Sequence, residues 1–266
     1  MLREQIINKL KELTNYKHLE LVTRGNSAID SALSLIEKGK TVLIPEEGAW
    51  IHYKKGPVKF GLSVIELKCD DAKIDLEDLK EKVKDAAAIL FHNPGGYFVA
   101  QPIKEIYQIC NENDCLVIMD VAGSVGTELC DGNYADIIVG SFGRWKLIPA
   151  LVGGFISTNN QDFWDKMKLN LLDDEEALET IWQKLAELPQ RIKFLEEKRK
   201  KVLKDLAEFN VLHKDSFATI IVVKFDSEEE KEKIIKYCEE ENYEWTECPR
   251  YIRINSQAIS IEIKRL

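Results

Sequence analysis

No apolar run in this chain is long enough to span a bilayer, so no membrane partner is expected. No two of its six cysteines form a Cys-x-x-Cys pair. Scattered thiols of this kind read as buried and reduced, and they point to a cytoplasmic setting. Met1 to Tyr16 lacks the apolar centre of a signal peptide. It reads instead as a charged amphipathic helix with Ile6, Leu10 and Leu13 on one stripe. The formal net charge is -9 and no basic stripe stands out, which argues against nucleic acid as a partner. Internal repeats and low-complexity tracts are absent. No Lys-Ser or Lys-Thr pair follows Gly25, which excludes a Walker-type phosphate loop there.

What is present is ordinary globular composition. The 266 residues are 45% hydrophobic and 31% charged, enough for one large domain and a small one. Lys and Glu crowd the expected helices, which reads either as an ion-pair-rich surface or as plain solvated faces. From about Leu19 to Thr158 helical and strand patterns alternate. Helices are expected at Ala28 to Lys38, at Leu76 to Val83 behind an Asp75 N-cap, and at Ile103 to Glu112. Apolar strands are expected at Thr41 to Pro45, Ser63 to Leu67, Ala87 to Phe91, Leu116 to Met119, Asp136 to Gly140 and Gly154 to Ser157. Near-continuous apolar strands between helices imply an α/β fold: a three-layer α/β/α arrangement around a mainly parallel sheet. Ligands of such sheets bind beyond the carboxyl ends of the strands.

The character changes after Asn160. Phe163 to Asn210 is helical and highly charged, with an interruption expected at Pro189. Strands are expected at Phe217 to Phe225 and Tyr251 to Asn255, around a helix at Glu228 to Glu240, with a closing helix after them. The expected division is a large domain over 1–165, then connecting helices and a small C-terminal α/β domain over 166–266.

Several polar residues fall at the expected strand ends. Lys146 follows the turn Ser141-Phe142-Gly143-Arg144 beyond a strand. An amine forms an imine only when unprotonated, which burial and a neighbouring cation promote. Arg144 is such a cation, or a phosphate ligand. By itself Lys146 reads equally as one more exposed lysine. Asp120 ends a buried run, where an unpaired carboxylate is expensive. A protonated pyridine nitrogen is a suitable partner, and a structural capping role is the alternative. No His or carboxylate stands beside it at ligand spacing, so no metal is expected. Gly25, Asn26 and Ser27 precede the helix expected from Ala28, where bare N–H groups and the helix dipole suit a phosphate. A plain N-cap fits them as well. Trp50 suits stacking on a flat ring or core packing. Asn93, in Asn93-Pro94-Gly95-Gly96, suits a donor to a ring hydroxyl or an Asx turn. Ser141 suits a phosphate contact or a simple turn.

Together these segments resemble a fold-type-I pyridoxal-phosphate (PLP) enzyme, most like the sugar aminotransferases of the DegT type and their small relatives. The resemblance covers roughly Glu20 to Thr158 and rests on four landmarks in order: Gly25-Asn26-Ser27-Ala28, Trp50, Asp120, and Ser141 to Lys146 followed by Gly153-Gly154. It implies that PLP is held by Lys146 as a Schiff base, with Asp120 on the pyridine nitrogen. It also implies a small-molecule amine or amino-acid substrate, a homodimer, and an active site at the subunit interface. Arg253 resembles the C-terminal arginine that binds a substrate carboxylate, a role that suits a bidentate guanidinium. A surface arginine is the other reading. The chain departs from the family in its short length and in Val121-Ala122-Gly123, which lacks the polar residue that often follows the aspartate. Alternatives to transamination are a lyase or desulfurase chemistry, and a catalytically silent PLP-binding relative.

Overall fold

A computed structural model describes residues 1–266. The chain opens with helix α1 (Leu2–Thr14), whose Ile6 and Leu10 are buried as the stripe predicts. Strand β1 (His18–Val22) was not expected, and α2 (Gly25–Leu33) follows it. Next come β2 (Thr41–Pro45), α3 (His52–Lys59) and β3 (Ser63–Leu67). A small hairpin, β4 (Cys69–Asp70) and β5 (Lys73–Ile74), leads into α4 (Leu76–Lys82). Asp75 caps α4 by accepting from the Glu77 and Asp78 amides, as its position predicts. Then β6 (Ala88–His92), α5 (Ile103–Asn111), β7 (Leu116–Asp120), β8 (Ile137–Ser141) and β9 (Gly154–Thr158) complete a seven-stranded sheet.

The sheet order is β1-β9-β8-β7-β6-β2-β3. The five strands from β8 to β3 run parallel, whereas β9 is antiparallel to both β8 and β1. Helices cover both faces of this mostly parallel sheet, the three-layer α/β/α arrangement expected from the sequence. Alternate side chains of each strand enter opposite cores. Val117 and Met119 join one face, and Ile118 joins the other with Val42 and Ile44. Burial on both faces removes the alternation a half-exposed strand would show, which is why these strands read as unbroken apolar runs.

Beyond α6 (Gln161–Lys166) the expected break at Pro189 does not occur. Helix α7 (Glu175–Asp205) runs through it for 31 residues. A proline inside a helix costs about 3 kcal/mol. Here Ile181, Leu185 and Leu188 before it, and Leu195 and Val202 after it, are buried in one core. Five large apolar side chains at about 1.5–3 kcal/mol each outweigh the lost bond.

A separate four-stranded antiparallel sheet follows, in the order β10 (Asn210–Val211), β11 (Ile221–Lys224), β13 (Ala258–Ile261), β12 (Trp245–Cys248). Helix α8 (Glu228–Glu240) covers one face through Ile234 and Cys238. The strand expected at Tyr251 to Asn255 is instead a turn between β12 and β13, and the closing segment is a short 3-10 turn, Ile263–Arg265. All six cysteines are free, and no helix is long and apolar enough to cross a membrane.

Candidate active site

The carboxyl ends of β7 and β8 and the start of α2 meet around a pocket of about 240 Å³. Asp120 is the last residue of β7 and is 8% exposed. Burial pushes its carboxyl above the usual carboxylate range, and the nearby Lys146 charge, the Ala122 amide and the Tyr53 hydroxyl pull against that. The Tyr53 hydroxyl donates to Asp120 Oδ2 at 2.9 Å, and the Ala122 N–H donates to Oδ1 at 2.9 Å. A carboxylate offers about four acceptor positions, so two remain beyond these bonds. Lys146, on the loop after β8, lines the same pocket, and its amine donates to the Tyr97 hydroxyl.

The third wall is the first turn of α2. Gly25, Asn26 and Ser27 do not precede this helix, as the sequence reading had it; they open it. The helix begins three residues early because Arg24 supplies an extended N-cap (φ -159°), and no side chain caps the first turn. Bare amides and the positive end of the dipole therefore face outward there. Gly25 has a specific steric reason: a Cβ at this position would lie 2.7 Å from Ser141 Cβ. Helix and strand approach so closely that only glycine fits. Trp50 lines the pocket, and its indole N–H donates to Asn26 Oδ1 at 2.9 Å, which fixes the ring plane.

Not every expected residue takes part. Gly25, Asn26, Trp50, Asp120, Ser141 and Lys146 line the pocket, and Arg24, Tyr97 and Gly153 line it with them. Ser27 turns its hydroxyl to Thr23 at 2.9 Å. Asn93 is fully buried and spends its side chain locally, donating to the Leu129 carbonyl and accepting from the Gln101 amide. It is a turn residue and does not line the pocket. Arg144 faces a neighbouring hollow with Arg191 and Arg265.

Arg253 is neither a pocket residue nor a surface one. It is 2% exposed, and its guanidinium grips Glu262 at 2.7 and 2.9 Å. Its Nε donates to Ser260 Oγ at 3.0 Å, and Nη1 donates to the Ile252 carbonyl at 2.9 Å. A guanidinium so occupied offers no free fork to a substrate carboxylate. The expectation failed because Glu262, nine residues later, returns beside Arg253 only through the antiparallel turn.

Three residues escaped the sequence reading. Tyr53 sits on α3, fully buried, where it reads as one more core aromatic. Tyr97 follows Gly95-Gly96 and adopts a left-handed backbone (φ 74°), which no residue pattern announced. His92 ends β6 and packs against the Tyr97 ring at 4.2 Å between centroids. Its Nε2 is buried without a partner, and burial, with Lys146 and Lys264 nearby, holds its pKa well below the usual value.

Residues 4–173 match the DegT/DnrJ/EryC1/StrS aminotransferase family, and residues 186–266 match the MJ1341 family C-terminal domain. Among curated relatives, the chain is 25% identical over 180 residues to "Uncharacterized aminotransferase MJ0959" of Methanocaldococcus jannaschii, covering 64% of this chain and 46% of that protein. It is 36% identical over 106 residues to "Probable glycine dehydrogenase (decarboxylating) subunit 1" of Pyrococcus furiosus, covering 37% of this chain and 24% of that protein. The chain thus spans less than half the length of either relative. Among solved structures, a DegT DnrJ EryC1 StrS aminotransferase from Brucella abortus superposes with a TM-score of 0.82 at 14% identity, over 98% of this chain and 84% of that one. A serine palmitoyltransferase from S. paucimobilis with a bound PLP adduct superposes with a TM-score of 0.74 at 15% identity, over 98% and 71%. These structural likenesses establish the fold, and the family model adds the lineage: the chain belongs to the DegT/DnrJ/EryC1/StrS aminotransferase family.

Proposed function

We propose that this protein is a PLP-dependent aminotransferase, with Lys146 as the residue that holds the cofactor covalently. The observation that carries the reading is the shared pocket: an amine (Lys146), a buried carboxylate (Asp120) and an uncapped helix start (α2) line one cavity at the carboxyl edge of the sheet. These residues fit PLP chemically. The bare amides at Gly25 and Asn26 suit a phosphate, and the missing Cβ of Gly25 keeps Ser141 within reach of the same anion. Asp120 has two unused acceptor positions and suits a cationic ring nitrogen. Trp50, anchored to Asn26, offers a flat face.

When bound, PLP supplies an electron sink for the pair released at a substrate carbon. The protein's own groups do the rest. Asp120, held by Tyr53 and the Ala122 amide, keeps a negative charge at the pocket floor. As a free amine, Lys146 would take the proton from the substrate α-carbon and deliver it to the cofactor carbon that bears the transferred nitrogen, as general base and then acid. Arg24 is exposed, lines the mouth and makes no ion pair, so it replaces Arg253 as the candidate for a substrate carboxylate. Exposed Trp50, Ile51 and Leu151 at or beside the mouth support a homodimer that closes over the site. We place the domain boundary at 165/166 and the protein in the cytoplasm.

The test is the absorption spectrum of PLP-loaded protein before and after borohydride, with the modified peptide identified. Attachment at Lys146 is expected, and Lys146→Ala should lose both the visible band and the fixed label. An unchanged band in that variant overturns the assignment. A panel of amino acids, followed by conversion to the pyridoxamine form, then separates transamination from a lyase or a silent relative.

A further inference from the structure

Tyr97 is the pocket residue gripped from the small sheet. Its carbonyl accepts from the Thr219 amide at 3.0 Å, and the Thr219 carbonyl accepts from the Lys264 amide at 3.0 Å. The last residues of the chain are therefore tied to the loop that carries Tyr97. The same segment also sends a side chain back: Lys264 Nζ lies 3.6 Å from the centroid of the Tyr97 ring. His92 packs on that ring, and Gly123 makes room for it, since a Cβ there would come within 2.8 Å of Tyr97 Cδ1. Tyr97 is clamped, and its one free end, the hydroxyl, meets Lys146.

The clamp is an amine where an apolar side chain would serve. Lys264 is 7% exposed, and its only carboxylate neighbour is Glu262 at 3.7 Å, which Arg253 already engages. Burial and the adjacent Arg253 hold its amine well below the usual lysine value. A methionine would fill the same space without burying a polar group. An amine on the face of an aromatic ring, by contrast, gains directional N–H···π attraction that fixes the ring.

We propose that Lys264 and Tyr97 act together as positioning residues for Lys146: Lys264, balanced by Glu262, holds the Tyr97 ring, and the Tyr97 hydroxyl holds the Lys146 amine in the pocket. This deepens the reading of the pocket as a lysine-centred active site and gives the C-terminal segment a part in it.

The experiment uses the full chain freed of PLP. Reductive methylation with formaldehyde and cyanoborohydride, read lysine by lysine by mass spectrometry, reports how firmly Lys146 is held. Tyr97→Phe should raise the labelling rate of Lys146 about three- to tenfold, the worth of one hydrogen bond. Exposed lysines and buried Lys264 should keep their rates, which a general loosening of the fold would not allow. Lys264→Met should raise Lys146 labelling in the same direction by less, and adding it to Tyr97→Phe should change nothing further. Should Lys264→Met fail to fold, Lys264→Gln, which keeps a polar end beside Glu262, carries the same test. Wild-type labelling of Lys146 in a folded Lys264 variant, or simple additivity in the double variant, overturns the proposal. PLP attaching elsewhere than Lys146 would sink the aminotransferase reading and leave this coupling standing; normal attachment with unchanged labelling does the reverse.

Discussion

The molecule holds two lysine–carboxylate groupings on either side of Tyr97, and they differ in how fully their charges are used. Around Lys264, one carboxylate serves three cations: Glu262 meets Arg253 at 2.7 Å, Arg265 at 3.6 Å and Lys264 at 3.7 Å. Around Lys146, Asp120 has only neutral partners, a phenol and an amide. In the first grouping Arg253, Glu262 and Lys264 are buried and Arg265 reaches a neighbouring hollow, whereas the second lines the pocket beside α2. Burial raises the carboxyl of Asp120, which has no ion pair to offset it fully. Burial also works to raise Glu262, yet Arg253, Lys264 and Arg265 together bring it down to about 2. Saturated charge holds a fold together, and unsaturated charge waits for a ligand.

Removing one carboxylate in each place breaks the comparison most sharply. Asp120→Asn keeps an oxygen for the Ala122 amide, and its NH2 can donate to the Tyr53 hydroxyl, which then accepts, so the melting temperature should hold or rise slightly. Amino-group transfer should fall roughly 10²–10³-fold, the usual cost of removing one electrostatic contact from a reacting centre. A marked loss of stability with retained turnover would reverse the roles assigned to the two sites. Glu262→Ala should do the opposite. It strands Arg253 and Lys264 in the interior, which costs about 3–5 kcal/mol and should lower the melting temperature by roughly 10 °C. Its effect is to be measured by calorimetry, and a shift of only a degree or two would mean that the buried pair contributes little.

Acid sharpens the same contrast. Glu262 has a folded pKa of about 2 against an ordinary 4.5. Its stabilisation is therefore complete above pH 4.5 and fades as the pH falls toward 2. Glu262→Gln should flatten the stability profile in that window and leave its shape above pH 5 unchanged. Chemical denaturation at pH 3 and pH 6 compares the two slopes.

The contrast also explains what could be read from the residues alone. The parallel strands were legible because burial on both faces leaves an unbroken apolar signature, as in Leu116 to Asp120. The pocket residues Asp120, Ser141 and Lys146 were legible because strand ends can be counted. β1 was not, since His18 and Glu20 interrupt an edge strand with half-exposed positions. The small sheet was read only in part, because strands as short as Trp245–Cys248 carry little periodicity. The saturated cluster was illegible in principle. Arg253, Ser260, Glu262 and Lys264 meet through turns and register, and an arginine looks the same in sequence whether its partner is a substrate or a glutamate.

Glu47 offers the mildest test, because it lies between the two kinds of site. It is 7% exposed, has no cation in contact, and accepts only the Asn255 amide, at 2.9 Å. Burial pushes its carboxyl up to about 7, with Asp71 and Glu46 adding to the rise and the Asn255 bond opposing it. For an acid with a raised folded pKa, the benefit of the proton is present below the ordinary value of 4.5 and is lost as the pH climbs through 7. The ionised side chain therefore burdens the fold in alkali. Glu47→Gln keeps the acceptor for Asn255 and removes the charge. It should raise the melting temperature by about 3 °C at pH 8.5, near 1 kcal/mol once solvent screening is discounted from the full shift, and by almost nothing at pH 4. An equal gain at both values would mean that packing, not charge, sets the difference, and Glu47 would then belong with the saturated cluster and not with Asp120.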